Sequence, residues 1–297
     1  MTMRIAVLFP GALGDLLLLA PALAAVAAAG TTVDLAVRRA LADLAKELAV
    51  PGPPVDGALV SALFAGAAPP ALAAWLAPVD VVHAWIGAPD PAVRAAARAA
   101  GVRDVRFHAV VRTDGEAHAS ADYAGALGIV GAPAPLRLPR PDAPPPVPWG
   151  VASAHRLVLH PGAGSAAKRW SSDGLRWVAD DRCRRGGEVV VLLGPAEEGL
   201  APFWQASGHA VARGCSLAAA AALVASAPQF VGNDSGVSHL AGALGCAGVV
   251  VFTTTRPERW RPRGGALTVV RAAGRSAAEV ACEVAARLAA CRRGEVP

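Results

Sequence analysis

The sequence predicts an α/β protein made of two doubly wound domains, and three observations carry that expectation. Short β-branched and apolar runs alternate with stretches of helical length, at the spacing of parallel βαβ units. The alternation stops in a proline-rich segment, PRPDAPPPVPWG at 139–150, and then restarts. The length, 297 residues, suits two domains of ordinary size. The proline-rich segment reads as a stiff linker, which gives an expected first domain of residues 1–145 and a second of 146–297.

In the first half, RIAVLF (Arg4 to Phe9) reads as a strand, Pro10 to Asp15 as a turn, and Leu16 to Ala29 as a helix. TTVDLAVRR follows as a strand, residues 41–48 as a helix, VDVVHAWIG as a strand, residues 91–100 as a helix and VRDVRFHAVV as a strand. The first thirty residues also resemble a secretory signal, with Arg4 ahead of a long apolar run. Asp15 argues against that reading, because a carboxylate inside an apolar signal core is expensive. Pro10, Gly11 and Gly14 argue against it too. No signal peptide and a cytoplasmic location are expected. Beyond these thirty residues no uninterrupted apolar segment is long enough to span a bilayer.

In the second half, RLVLHPGAGS is strand then loop, SSDGLRWVADDRCRRGG a capped helix, and EVVVLLGPAEE strand then loop. QFVGNDSGVSHLAGALG is strand, loop and helix, GVVVFTTT a strand, and residues 276–291 a last helix. In doubly wound domains the ligand sits outside the carboxyl ends of the strands, so the strand-to-helix loops are the places to look for chemistry.

Charge and cysteine usage narrow the classes. Residues 1–150 hold 11 Lys and Arg against 12 Asp and Glu, whereas 151–297 hold 17 against 11. The basic excess of the second half favours an anionic ligand. Nucleic acid fits poorly, because there is no basic helix with interleaved aromatics and no zinc-finger spacing; a phosphorylated small molecule fits better. Cys183, Cys215, Cys246, Cys282 and Cys291 are odd in number and form no C-x-x-C pair, so they read as reduced structural thiols rather than a disulfide framework or a zinc site.

Four loops carry candidate chemistry. In FPGALGD, Gly11 and Gly14 let backbone approach a ligand, and Asp15 stands near a helix start, either as a cap or as a general base. The G-x-G-x-x-G dinucleotide spacing is missing. In HPGAGSAAKRW, Gly162, Gly164 and Ser165 offer backbone and hydroxyl donors, and Lys168 offers a compact charge for phosphate. It is not a Walker loop, because Ala167 and Arg169 flank the lysine. In GNDSGVSHLAGALG, Asp234, Ser235 and Gly236 open a helix whose free N–H groups suit a diphosphate, and His239 follows one turn on. Without a G-x-S-x-G elbow, a Ser-His-Asp hydrolase is disfavoured. In LLGPAEEG, Glu197 or Glu198 is placed to hold ribose hydroxyls, or is simply solvated.

With RIAVLFPGALGDLLLLAPAL, LVLHPGAGSAAKRW, LLGPAEE and FVGNDSGVSHLAGALG in this order, followed by VVVFTTTRPERWRP, the chain resembles the ADP-heptose:lipopolysaccharide heptosyltransferases of glycosyltransferase family nine. The resemblance implies a GT-B fold of two Rossmann-like domains facing across a cleft, with the acceptor on the first and the nucleotide sugar on the second. It implies inverting transfer without metal or cofactor, an ADP-sugar co-substrate and Asp15 as base. Lys168, Ser165 and the helix start at Ser235 and Gly236 would stabilise the diphosphate, with Asp234 and His239 close by and Glu197 on the ribose.

The implied partners are a nucleotide-sugar donor and a glycan or glycolipid acceptor, with possible peripheral contact at the cytoplasmic membrane face and no nucleic acid. Arg94, Arg98, Arg103, Arg106 and Arg112 form either an acceptor patch or a solvated face. The chain departs from the family pattern at Ser235, where threonine is usual, and at Thr253, where glycine is usual. The same donor chemistry on another acceptor, or a nucleotide-sugar binder without turnover, is the alternative function.

Overall fold

The computed structural model describes residues 2–109, 115–140 and 153–292. The chain divides into two compact units, Met1–Ala134 and Pro135–Pro297, each built around one parallel sheet. The first sheet comprises β1 (Arg4–Phe9), β2 (Thr32–Val37), β3 (Val50–Pro51), β4 (Val81–Ala84) and β5 (Asp104–Phe107), in the order 3-2-1-4-5. The second comprises β6 (Arg156–His160), β7 (Glu188–Leu192), β8 (Ala210–Ala212), β9 (Gln229–Asn233), β10 (Ala247–Phe252) and β11 (Ala266–Arg271), in the order 11-10-9-6-7-8.

Counted from its own first strand, the second sheet has the 3-2-1-4-5-6 order of a Rossmann domain. The first sheet has the same order short of its sixth strand. In each unit the order reverses beside the first strand, between β1 and β4 and between β6 and β9. The loops that follow those strands therefore flank the crevice where doubly wound sheets bind ligands.

The central strands are mostly apolar because helices cover both faces. Residues 5–9 of β1 and all of β6 are buried. The core of the second unit gathers Leu157, Leu159, Val191, Val231 and Val251 around Trp204. In the first unit, Leu8, Leu63, Leu72, Leu76, Val82 and Val93 fill one face of the sheet. The Arg4 guanidinium, at the start of β1, grips the fully buried Asp34 of β2 with both Nε (2.8 Å) and Nη2 (2.9 Å).

Several elements differ from the sequence expectation. The first helix runs Leu13–Ala28, so it begins before Asp15 rather than after it. The expected helix at 41–48 is a short 3-10 turn, Arg39–Leu41, followed by Ala42–Lys46. Helices at Ala58–Phe64, Pro70–Leu76, Ala119–Ala126 and Leu217–Ala225, and strands β3, β8 and β11, were not foreseen.

The expected domain boundary at 145/146 lies outside the described residues, as does most of the proline-rich segment. Just before it, Leu138 N–H donates to the Ala243 carbonyl (2.9 Å) and Arg140 Nε to the Leu244 carbonyl (2.9 Å). Residues 135–140 therefore run along the second unit.

Candidate functional site

In the second unit the loops after β6 and β9 are stitched together by one buried side chain. Asn233, at the end of β9, accepts from Trp170 N–H through Oδ1 (3.1 Å) and donates from Nδ2 to the Pro161 carbonyl (2.8 Å). The loop bearing Ser165 and Lys168 is thereby fixed to the strand that launches Asp234. Lys168 Nζ then sits 2.9 Å from Asp234 Oδ2, and Thr255 Oγ1 donates to the same oxygen (2.7 Å). The Asp234 side chain is 4 % exposed and that of Lys168 30 %. The ammonium also lies 5.8 Å from the centroid of the Trp260 ring.

Ser235 caps the helix Gly236–Ala243: its Oγ accepts from Ser238 N–H (3.3 Å), and Ser238 Oγ donates to the Asn233 carbonyl (2.5 Å). The cap takes up Ser238 N–H; the N–H groups of Gly236 and Val237 have no intrahelical acceptors and carry the positive end of the helix dipole. With Lys168 beside them they form a seat for an anion. His239 is buried on the same helix. Thr253, which stands where the resemblance predicts glycine, donates to the Ala167 carbonyl (2.7 Å) and so ties the end of β10 to the lysine turn.

Glu197 and Glu198 have different surroundings. Glu197 is buried, accepts from Gly194 N–H (3.1 Å) and lies 3.6 Å from the Arg169 guanidinium. Glu198 faces away, paired with Arg213 at 2.5 Å. Gly162 is required by this packing, because a Cβ there would stand 2.4 Å from the Glu197 carboxyl carbon. Gly164 is open and Ser165 exposed, so both remain accessible. Burial holds His160 below the usual imidazole range, although the Leu192 carbonyl that it hydrogen-bonds (2.9 Å) and the Glu197 charge act the other way.

In the first unit, Asp15 occupies the first turn of helix Leu13–Ala28. Its Oδ2 accepts from Ala12 N–H (3.2 Å), so it does serve as a cap. Its Oδ1 accepts from the hydroxyl of Tyr123 (3.1 Å), a buried residue 108 positions away. Gly14 lies in the same helical turn, and Gly11 makes room for the Phe9 ring, 2.4 Å from where a Cβ would be.

Beneath this corner Phe9 meets Trp85 and Tyr123 edge-on, each at 5.7 Å between centroids. Trp85 in turn lies against His108, whose Nε2 is 2.9 Å from His83 Nδ1. Burial, helped by His108 and Arg106, pushes His83 down to about 4. Of the expected arginine patch, Arg94 covers the Phe107 ring, Arg103 pairs with Asp80 and Arg106 with Asp104. Arg112 lies outside the described residues.

Sequence reasoning missed Asn233, Tyr123, Arg169 and Thr255. Asn233 stood inside a motif already singled out, and Tyr123 is the only tyrosine in the chain. Among the described residues no cluster of three or more His, Cys, Asp or Glu suited to a metal is present, and no helix is long and apolar enough to cross a membrane.

Two Rossmann-like units in tandem, with polar side chains converging on the strand-end loops, make this a protein of the GT-B fold class. Residues 115–286, more than half of the chain, match the profile of Glycosyltransferase family 9 (heptosyltransferase). The chain belongs to that family.

Over 120 residues it is 30 % identical to lipopolysaccharide heptosyltransferase 3 of Escherichia coli (strain K12); the match takes in 36 % of this chain and about a third of that protein's length, 33 %. Among solved structures it is similar to a family 9 glycosyl transferase from Veillonella parvula DSM 2008, with TM-score 0.77, 17 % identity and 98 % of each chain covered. It is similar to the ADP-heptose lipopolysaccharide heptosyltransferase II of E. coli to the same degree, with TM-score 0.77, 17 % identity and 99 % of each chain covered.

Proposed function

We propose that the chain is an inverting glycosyltransferase that moves heptose, or a closely related sugar, from an ADP-sugar to a hydroxyl of a lipopolysaccharide-core-type glycolipid. The observation that carries the reading is the convergence of Lys168 and Asp234 at 2.9 Å beside the start of helix Gly236–Ala243. A cation and free N–H donors at a topological switch point are what a leaving diphosphate needs. The family match and the likeness to the ADP-heptose lipopolysaccharide heptosyltransferase II of E. coli support ADP-heptose as the donor.

In this mechanism the acceptor oxygen attacks the anomeric carbon, its proton passes to the Asp15 carboxylate, and the bond from that carbon to the diphosphate breaks. Lys168, Ser165 and the helix start take up the charge that develops on ADP. Glu197, buried beside the same loops, accepts hydrogen bonds from the ribose, while Asp234 orients Lys168 and His239 borders the site. No metal is assigned a role. The protein works in the cytoplasm, with its acceptor presented at the membrane face.

The acceptor half is less constrained. Arg94, Arg103 and Arg106 are engaged by Phe107, Asp80 and Asp104, which favours as a second reading the same donor chemistry on a different glycan or a natural product. Calorimetry with ADP, UDP and GDP, followed by ADP release from ADP-heptose against a panel of acceptors, tests both. Selective ADP binding with release that depends on an inner-core glycolipid supports the first reading. Release that depends on another acceptor supports the second, and binding of no nucleotide contradicts both.

A further inference from the structure

We infer that Tyr123 is a positioning residue for the Asp15 carboxylate: its hydroxyl donates to Oδ1 at 3.1 Å, and buried aromatic packing holds the ring in place. The inference deepens the reading of Asp15 as the base and rests on it. Asp15 is on the first turn of helix Leu13–Ala28 and Tyr123 in the middle of helix Ala119–Ala126, so local chain geometry does not bring them together. The contact is made by tertiary packing of these two helices on one face of the sheet.

The two carboxylate oxygens are held by different donors, Oδ2 by Ala12 N–H and Oδ1 by Tyr123. Two fixed donors set both the rotamer and the plane of the carboxylate, while each oxygen keeps a second lone pair for an incoming hydroxyl proton. A cap alone needs only the first. Tyr123 is 2 % exposed, and its ring stands edge-on to Phe9 at 5.7 Å and tilted against Trp85 at 6.4 Å. The phenol therefore arrives preorganised, as a support for a reacting group must.

Replacing the phenol with a benzene ring keeps the ring packing and removes the hydroxyl that donates to Oδ1. In Tyr123→Phe kcat therefore falls about threefold to tenfold while the KM for donor is unchanged, because orientation is lost rather than binding.

Because the chain has a single tyrosine, one spectroscopic signal reads this contact without any substrate. In ultraviolet resonance Raman spectra the tyrosine Fermi doublet of the wild-type protein should report a strong donor. In Asp15→Ala it should relax toward a weak donor, with the fold checked by circular dichroism. An unchanged doublet in Asp15→Ala overturns the inference.

Kinetics separates the inference from the reading beneath it, using ADP release from ADP-heptose with an inner-core glycolipid. Wild-type turnover that is lost in Asp15→Asn, with kcat lowered and the KM for donor unchanged in Tyr123→Phe, supports both. A wild-type kcat in Tyr123→Phe, or a fall in kcat matched by a change in the KM for donor, overturns the positioning role even when Asp15→Asn is inactive. Full activity in Asp15→Asn, or no turnover by the wild type, removes the base assignment and the positioning role with it, whatever the doublet shows.

Discussion

Lys168 Nζ lies 2.9 Å from Asp234 Oδ2, a carboxylate whose side chain is 4 % exposed. The cation expected to meet a diphosphate is thus already oriented by an acid that cannot turn to solvent. Substituting Lys168 by Met removes the cation and leaves Asp234 buried with Thr255 as its neutral donor. ADP affinity should fall at least about tenfold, and stability by about 1–3 kcal/mol, the cost of stranding a buried charge. Adding Asp234→Asn should restore most of the stability and none of the affinity. Paired calorimetry and denaturant melts check this, and a double variant that regains ADP binding would contradict it.

Glu197 and Glu198 are neighbours in sequence with opposite surroundings. Glu197→Gln should weaken ADP binding, whereas Glu198→Gln, which breaks only the exposed pair with Arg213, should leave it unchanged. Gly162→Ala should act like the Glu197 change, since its methyl would displace that carboxylate, and should destabilise by about 1–3 kcal/mol through overpacking. Equal affinities across the three variants would remove Glu197 from the ribose.

Asn233 is fully buried and serves Trp170 N–H and the Pro161 carbonyl at once. Asn233→Ala leaves both without that partner, so it should cost about 2–4 kcal/mol and loosen the Lys168 loop. Urea melts together with hydrogen exchange at residues 162–170 measure the two effects. A stable variant with unchanged exchange would show that the loops hold without it.

His83 links the first unit to pH. Burial pushes its pKa in the folded protein down to about 4 from the usual 6.5, so the folded state resists protonation that the unfolded chain accepts. Its contribution is fully present above the unfolded value and is lost as pH falls from about 6.5 toward 4, an effect of roughly 3 kcal/mol. Melting temperature should fall over that window, more steeply in the wild type than in His83→Gln. His108, also held low by burial, and His160 give a residual slope. Identical slopes would contradict the assignment.

The glycine-bearing loops, the strands that precede them and the places of Lys168, Asp234 and Ser235 on those loops were legible in the sequence, because glycines and polar residues break the apolar strand pattern there. The helices at 58–64 and 70–76 were not, since runs of alanine, proline and leucine show no helical period of polarity. Strand β3 has only two residues and escapes any periodic test. The pairing of Arg4 with Asp34 was not legible, because Asp34 is thirty positions away on the next strand. Tyr123 was invisible for the same reason, on a larger scale. What tertiary packing brings together across the chain leaves no mark on local spacing.

Asp15 remains the point on which the account turns, because its contact with Ala12 N–H would serve a cap as well as a base. Asp15→Asn preserves shape and much of the capping, and it removes the ability to take a proton. The most direct measurement is turnover of ADP-heptose by this variant alongside its Kd for ADP. The account predicts a loss of rate of about 100-fold or more with Kd within about twofold of wild type, since no donor-site residue is touched. Turnover within about tenfold of wild type would show that Asp15 only caps its helix.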